Sequence, residues 1–146
     1  MSELDEAKGR AEAMWAKDVA SQRLGIAIDL LAPGSVRATM EVRADMINGH
    51  DLCHGGYLFT LADTAFAFAC NADEHVTVAA AASIDFLRPV REGDRLTAVA
   101  TERYRGPRTG IYDVLITNEA GATVAIFRGR SHTTGRPLEP ALAGDR

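Results

Sequence analysis

The stretch from Gly55 to Cys70 constrains the fold more than any other part of the chain. Tyr57, Leu58, Phe59, Leu61, Ala62 and the run Ala65-Phe66-Ala67-Phe68-Ala69-Cys70 are apolar, and only Thr60, Asp63 and Thr64 interrupt them. At about 3.6 residues per turn the stretch makes about four helical turns, and it is too long for an ordinary strand. A helix that is apolar all round is a buried one, so the rest of the chain must be built around it. Asp63 sits in its middle. An unpaired carboxylate is costly to bury, so this one must be hydrogen-bonded, ion-paired, beside a cavity or at a subunit seam.

The flanking sequence can supply that surround. Leu4, Ala7, Ala11, Met14 and Trp15 recur at helical steps on one face. With Ser2 as a cap and Gly25 beyond the end, they predict an N-terminal helix within residues 1–22. The period then changes to two. Leu24, Ile26 and Ile28 alternate, as do Val36, Ala38, Met40 and Val42, and Pro33-Gly34 makes the turn between two strands. Four more strands are expected: Val76 to Leu87, Arg95 to Arg105, Gly110 to Asn118 and Ala122 to His132. Their short connections imply antiparallel neighbours. Residues 135–146 read as a flexible tail. The length of 146 residues fits a single domain with no internal repeat. The class is α+β, one sheet curled around one helix, with an open sheet edge that a partner chain can cover.

Bulk properties exclude several functions. The net charge is −4, and no dense Lys/Arg run marks a nucleic-acid surface. Cys53 and Cys70 have neither C-x-x-C nor metal-like spacing. The charged start, Met1 to Gly9, lacks an apolar signal core. No run approaches the ~20 apolar residues of a membrane span. A cytoplasmic protein with reduced thiols is expected. There is no G-x-S-x-G elbow and no phosphate-binding glycine loop. Nothing in the spacing of Ser83, Asp85 and His132 supports a triad. His50 and His54 lie four apart in a glycine-containing loop with no third ligand, so no metal site is expected.

Two features remain. Asp63 is either a satisfied polar residue at a seam or a carboxylate whose acidity is tuned in a cleft. His54-Gly55-Gly56 either packs tightly or leaves helix-start amides uncovered, where the helix dipole favours negative charge and an oxyanion can be held. Gly55 and Asp63 are eight residues apart, roughly 12 Å along a helix axis, and the Gly55 N–H points away from Asp63. One carbonyl cannot meet both groups of one chain. If both act on it, they come from two subunits related by a two-fold axis.

The run Asn48-Gly-His-Asp-Leu-Cys-His-Gly-Gly56, continuing through Leu61-Ala-Asp63 to Ala69-Cys-Asn71, resembles the signature of the PaaI-type hotdog thioesterases of phenylacetate degradation. The resemblance continues through Ser83-Ile-Asp-Phe-Leu-Arg-Pro89, Thr109-Gly-Ile-Tyr-Asp113 and Phe127-Arg-Gly-Arg-Ser-His132, and covers nearly all of the chain after about residue 10. It implies a hotdog fold, dimers paired into homotetramers, and hydrolysis of aryl-acyl-CoA thioesters such as phenylacetyl-CoA and its hydroxylated or ring-oxidised relatives. It implies no retained cofactor, because CoA belongs to the substrate. By the same resemblance Asp63 is the general base or nucleophile, and the Gly55 N–H polarises the carbonyl. Asn48 lies near the carbonyl or the water, His54 shapes the site, and Thr64 places a hydroxyl beside the carboxylate. Phe59, Phe66 and Phe86 are candidates for an aryl pocket, and Arg88, Arg91, Arg108, Thr109 and Gly110 for contacts to CoA.

Other readings stay open at this stage. One is a hotdog thioesterase for another acyl group, hydroxybenzoyl or medium-chain. Another is an acyl-CoA-sensing protein without turnover. A hotdog dehydratase fits less well, because no histidine stands beside Asp63 on the helix.

Overall fold

The computed structural model describes residues 2–73 and 75–137. Among the described residues three α-helices, α1 (Glu3–Lys17), α2 (Val19–Arg23) and α3 (Gly55–Cys70), and one short 3-10 helix (Ala44–Met46) accompany six strands. These are β1 (Ala27–Ala32), β2 (Ser35–Glu41), β3 (His75–Phe86), β4 (Arg95–Arg105), β5 (Thr109–Thr117) and β6 (Thr123–Pro137). They form one antiparallel sheet in the order β1-β2-β4-β5-β6-β3. The sheet curls around α3, and every strand touches that helix.

The α1 start is a reciprocal cap. Ser2 Oγ accepts from the Asp5 N–H at 3.1 Å, and Asp5 Oδ2 accepts from the Ser2 N–H at 3.3 Å. The expected single N-terminal helix is in fact two. Asp18 stops α1 and caps α2, its Oδ1 accepting from the Ser21 N–H at 3.0 Å. An aspartate that can serve the following turn breaks a helix more readily than its apolar spacing suggests. The β1–β2 turn needs Gly34, whose φ is +82°.

The core lies between α3 and the concave face of the sheet. Phe66 and Phe127 are fully buried with ring centroids 5.8 Å apart, and Phe59 meets Phe127 edge-on at 5.4 Å. A Cβ on Gly129 of β6 would lie 2.8 Å from the Phe66 ring, so that ring rests on bare backbone.

The expected tail is partly strand. Strand β6 runs through residues 135–137, where Pro137 pairs with His75 of β3; residues 138–146 lie outside the described part. Ladder pairing with the start of β3 extends this strand although its side chains carry little apolar signal. Strand β3 itself is a sheet edge, and Ala79 to Ser83 are all exposed along it. Val78, Phe86 and Leu87 are exposed by 43%, 54% and 51%. Among the described residues no helix is long and apolar enough to cross a membrane.

Candidate active site

The start of α3 is held by the loop before it. Asn48 Oδ1 accepts from the N–H groups of His50 and Leu52 at 2.9 and 3.1 Å, and the Asn48 N–H donates to the Leu52 carbonyl at 2.7 Å. Asn48 therefore shapes the loop with its oxygen, and its Nδ2 has no acceptor among the described residues. The His54 N–H donates to the Met46 carbonyl at 2.8 Å and the Cys53 N–H to the Val90 carbonyl at 2.7 Å, which fixes where the helix begins.

His54 is the N-cap. Its Nδ1 accepts from the Gly56 N–H at 2.9 Å, so in the neutral ring Nε2 carries the proton. That bond uses the second amide of the helix and leaves the first. The Gly55 N–H has no acceptor among the described residues, and it opens a four-turn helix whose dipole favours an anion there. A Cβ on Gly55 would come within 2.9 Å of the exposed Phe86 ring, so the missing side chain keeps this amide close to the end of β3.

Gly56, Thr60, Asp63 and Ala67 follow one another at steps of four, three and four residues, which places them on one face of α3. None of these four is fully buried, so this is the face that the chain's own sheet leaves open. Asp63 makes no hydrogen bond or ion pair among the described residues. Burial raises its pKa above the usual 3.8, and no cation offsets this. The carboxylate looks into a cavity of about 340 Å³ whose walls include Met14 of α1, Phe66, Ala67 and Cys70 of α3, and the first residues of β3. Burial pushes the Cys70 thiol up to about 12, so Cys70 is a neutral wall and not a rival nucleophile.

The remaining sequence candidates divide. Thr64 does not face this cavity. It is buried and its Oγ1 lies 3.0 Å from Ser21 Oγ, which ties α2 to α3. Phe66 is a core residue that also borders the cavity. Arg88 and Arg91 are exposed on the β3–β4 connection. Arg108 and Thr109 sit at the β4–β5 hairpin, at the other end of β4 and so about 33 Å away. Gly110 is not a surface contact. It is buried, paired on both sides, and a Cβ there would lie 2.8 Å from the Tyr112 ring. Ser83 pairs with Arg128, and His132 pairs with Val78, so Ser83, Asp85 and His132 are spread along the β3–β6 ladder and form no triad. No group of three metal-ligating side chains exists among the described residues.

Sequence reading missed Met14 as a cavity wall and the role of Asn71. The Asn71 Nδ2 donates to the carbonyls of Ala67 and Thr77, both at 2.8 Å, and its Oδ1 accepts from the Thr77 N–H at 2.8 Å. It straps the end of α3 to β3. The Ala-Cys-Asn ending signalled its presence without signalling its partner.

Comparison with known proteins agrees with this geometry. The family model of the thioesterase superfamily matches residues 50–125, which include α3 and β3 to β5. The acyl-coenzyme A thioesterase PaaI of Escherichia coli (strain K12) is 52% identical over 125 residues, 86% of this chain and 89% of that protein. The structure of the E. coli PaaI protein from the phenylacetic acid degradation operon superposes with a TM-score of 0.91 at 48% identity, over 94% of this chain and all of that one. A Streptococcus mutans UA159 protein, solved bound to acetyl CoA, superposes with a TM-score of 0.73 at 28% identity, over 76% of this chain and 90% of that one. The chain belongs to the thioesterase superfamily with the hotdog fold, in its PaaI-type branch. It is thus a thioester hydrolase.

Proposed function

We propose that the protein hydrolyses aryl-acyl-CoA thioesters, phenylacetyl-CoA and its hydroxylated or ring-oxidised relatives foremost, during phenylacetate degradation. The observation that carries this reading is Asp63, an unpaired and half-buried carboxylate facing an apolar cavity on the uncovered side of α3. The similarity to the E. coli enzyme supports the acyl-CoA substrate.

The thioester carbonyl accepts a hydrogen bond from the Gly55 N–H, which strengthens as the oxygen becomes an oxyanion. Asp63 either removes a proton from the attacking water or attacks the carbonyl carbon itself, giving an anhydride that water then opens. The C–S bond breaks, and CoA leaves as a thiolate that takes up a proton. Asn48, whose Nδ2 has no acceptor among the described residues, orients the carbonyl or the water, and His54 holds the helix start through Gly56. The offset of roughly 12 Å between Gly55 and Asp63 along the helix axis supports two subunits supplying the two groups of one site. The exposed apolar strand β3 is the edge that joins them, and pairs of dimers form a homotetramer. Arg88 and Arg91 lie at the opposite end of the sheet from Arg108 and Thr109. The two groups meet one CoA only across the same two-fold. The protein needs no cofactor, and a cytoplasmic location suits a CoA ester.

Free-thiol release from phenylacetyl-CoA, compared with aliphatic acyl-CoAs, tests the proposal. Faster release from phenylacetyl-CoA is expected. Binding of acyl-CoA with no thiol released would instead mark a sensing protein.

A further inference from the structure

The cavity beside Asp63 runs toward the C-terminal end of α3 and meets α1. Ala67 and Cys70 stand four and seven residues beyond Asp63, on the same side of the helix. Asn71 also borders the space, but both its amide hydrogens and its oxygen are engaged with backbone. Thr77 borders it too, with its Oγ1 engaged by the His75 carbonyl at 3.3 Å and by Thr133 Oγ1 at 3.2 Å. Apart from the carboxylate, the side chains that line the cavity therefore offer its contents little to hydrogen-bond. The wall from α1 is Met14. That helix is fastened here from both sides of Met14. Arg10 Nη1 donates to the Ala72 carbonyl at 3.0 Å, and the Trp15 ring lies 6.3 Å from that of Phe68.

We propose that Met14 is the specificity-determining residue that limits acyl length. The acyl group, its carbonyl at Asp63, lies along Ala67 and Cys70 and ends against the Met14 thioether. The proposal rests on Asp63 being the hydrolytic carboxylate. Sulfur stands on both walls of the acyl path, the thiol of Cys70 and the thioether of Met14, and sulfur packs favourably against aromatic rings. A ring of phenylacetyl size is the occupant these walls fit. Helix α1 then selects the substrate as well as covering the core.

The test is free-thiol release by the full chain from acetyl-, phenylacetyl- and decanoyl-CoA. Wild type is compared with Met14→Ala, Met14→Leu and Met14→Phe, with melting curves to confirm folding. Met14→Ala should raise the decanoyl-to-phenylacetyl ratio of kcat/KM by about tenfold, the scale of a methylene or more in an apolar pocket. Met14→Phe should lower phenylacetyl-CoA turnover by about tenfold and spare acetyl-CoA. Met14→Leu, nearly equal in volume, should keep the wild-type profile. If Met14→Ala fails to fold, the Met14→Phe comparison decides. An active wild type whose Met14→Phe variant shows an unchanged acyl profile overturns the role of Met14 alone. A wild type that releases no thiol from any of the three overturns the reading of Asp63 as well.

Discussion

Asp63 carries its charge in surroundings that oppose it. Its pKa is raised by burial, so the folded state holds the proton more tightly than the unfolded chain does. Below the unfolded pKa both states are protonated and the residue costs nothing. As pH rises through the folded pKa its ionisation destabilises the fold, and that cost is full at neutral pH. Asp63→Asn should therefore melt at a higher temperature than wild type at pH 7, with the difference vanishing near pH 3. The same variant should hydrolyse phenylacetyl-CoA about 10²–10⁴-fold more slowly, the usual worth of a general base. The acid limb of the wild-type kcat profile should titrate above 3.8, the ordinary value for aspartate. Asp63 was legible in the sequence because it is the one acidic residue in an apolar run. Thr64 was not. Its bonding partner, Ser21, lies 43 residues away, and only the folded chain shows that the hydroxyl turns from the cavity. Gly110 was misplaced for a similar reason, since the Tyr112 ring and the Ser131 hydroxyl that crowd it come from the packed sheet.

Helix α3 was readable as an element because its composition admits no other place than the centre of the fold. The strands were readable from their turns to within one or two residues, apart from the start of β1, which begins at Ala27 because Leu24 still caps α2, and the far end of β6. Ladder pairing, not side-chain pattern, carries that strand through Pro137. How closely helix and sheet approach was not readable. The contact depends on Gly129, where a Cβ would come within 2.8 Å of the fully buried Phe66 ring. Gly129→Ala should lower stability by about 1–3 kcal/mol through overpacking, measured by urea unfolding. An unchanged midpoint would mean that the ring shifts freely. The α1–α2 break escaped the sequence pattern too, because Asp18 acts through a cap that apolar spacing does not register.

At the scale of the molecule, one chain leaves both its working helix face and its β3 edge uncovered. An exposed apolar edge strand is a pairing surface, and a two-fold axis beside β3 would bring the Gly55 end of one α3 toward the Asp63 of another. Ala81→Lys, a charge in the exposed middle of β3, should shift sedimentation velocity profiles toward monomer and remove hydrolysis with it. A monomer that retains full activity would contradict the shared site. The most direct test mixes two inactive chains. Gly55→Pro removes the amide hydrogen at a first helical position, where backbone geometry admits proline, and His54 already has the extended backbone that suits a following proline. The exposed Phe86 ring, which a Cβ there would meet at 2.9 Å, has to swing aside, so a melting curve of this variant accompanies the assay. Asp63→Asn removes the carboxylate. Unfolded and refolded together in equal amounts, half of the dimers pair the two variants, and each such dimer rebuilds one intact site from its two unmutated halves. Phenylacetyl-CoA hydrolysis should return to about a quarter of the wild-type rate per subunit, as a two-fold shared site requires. A mixture no more active than its two components would show that each chain carries its own complete site.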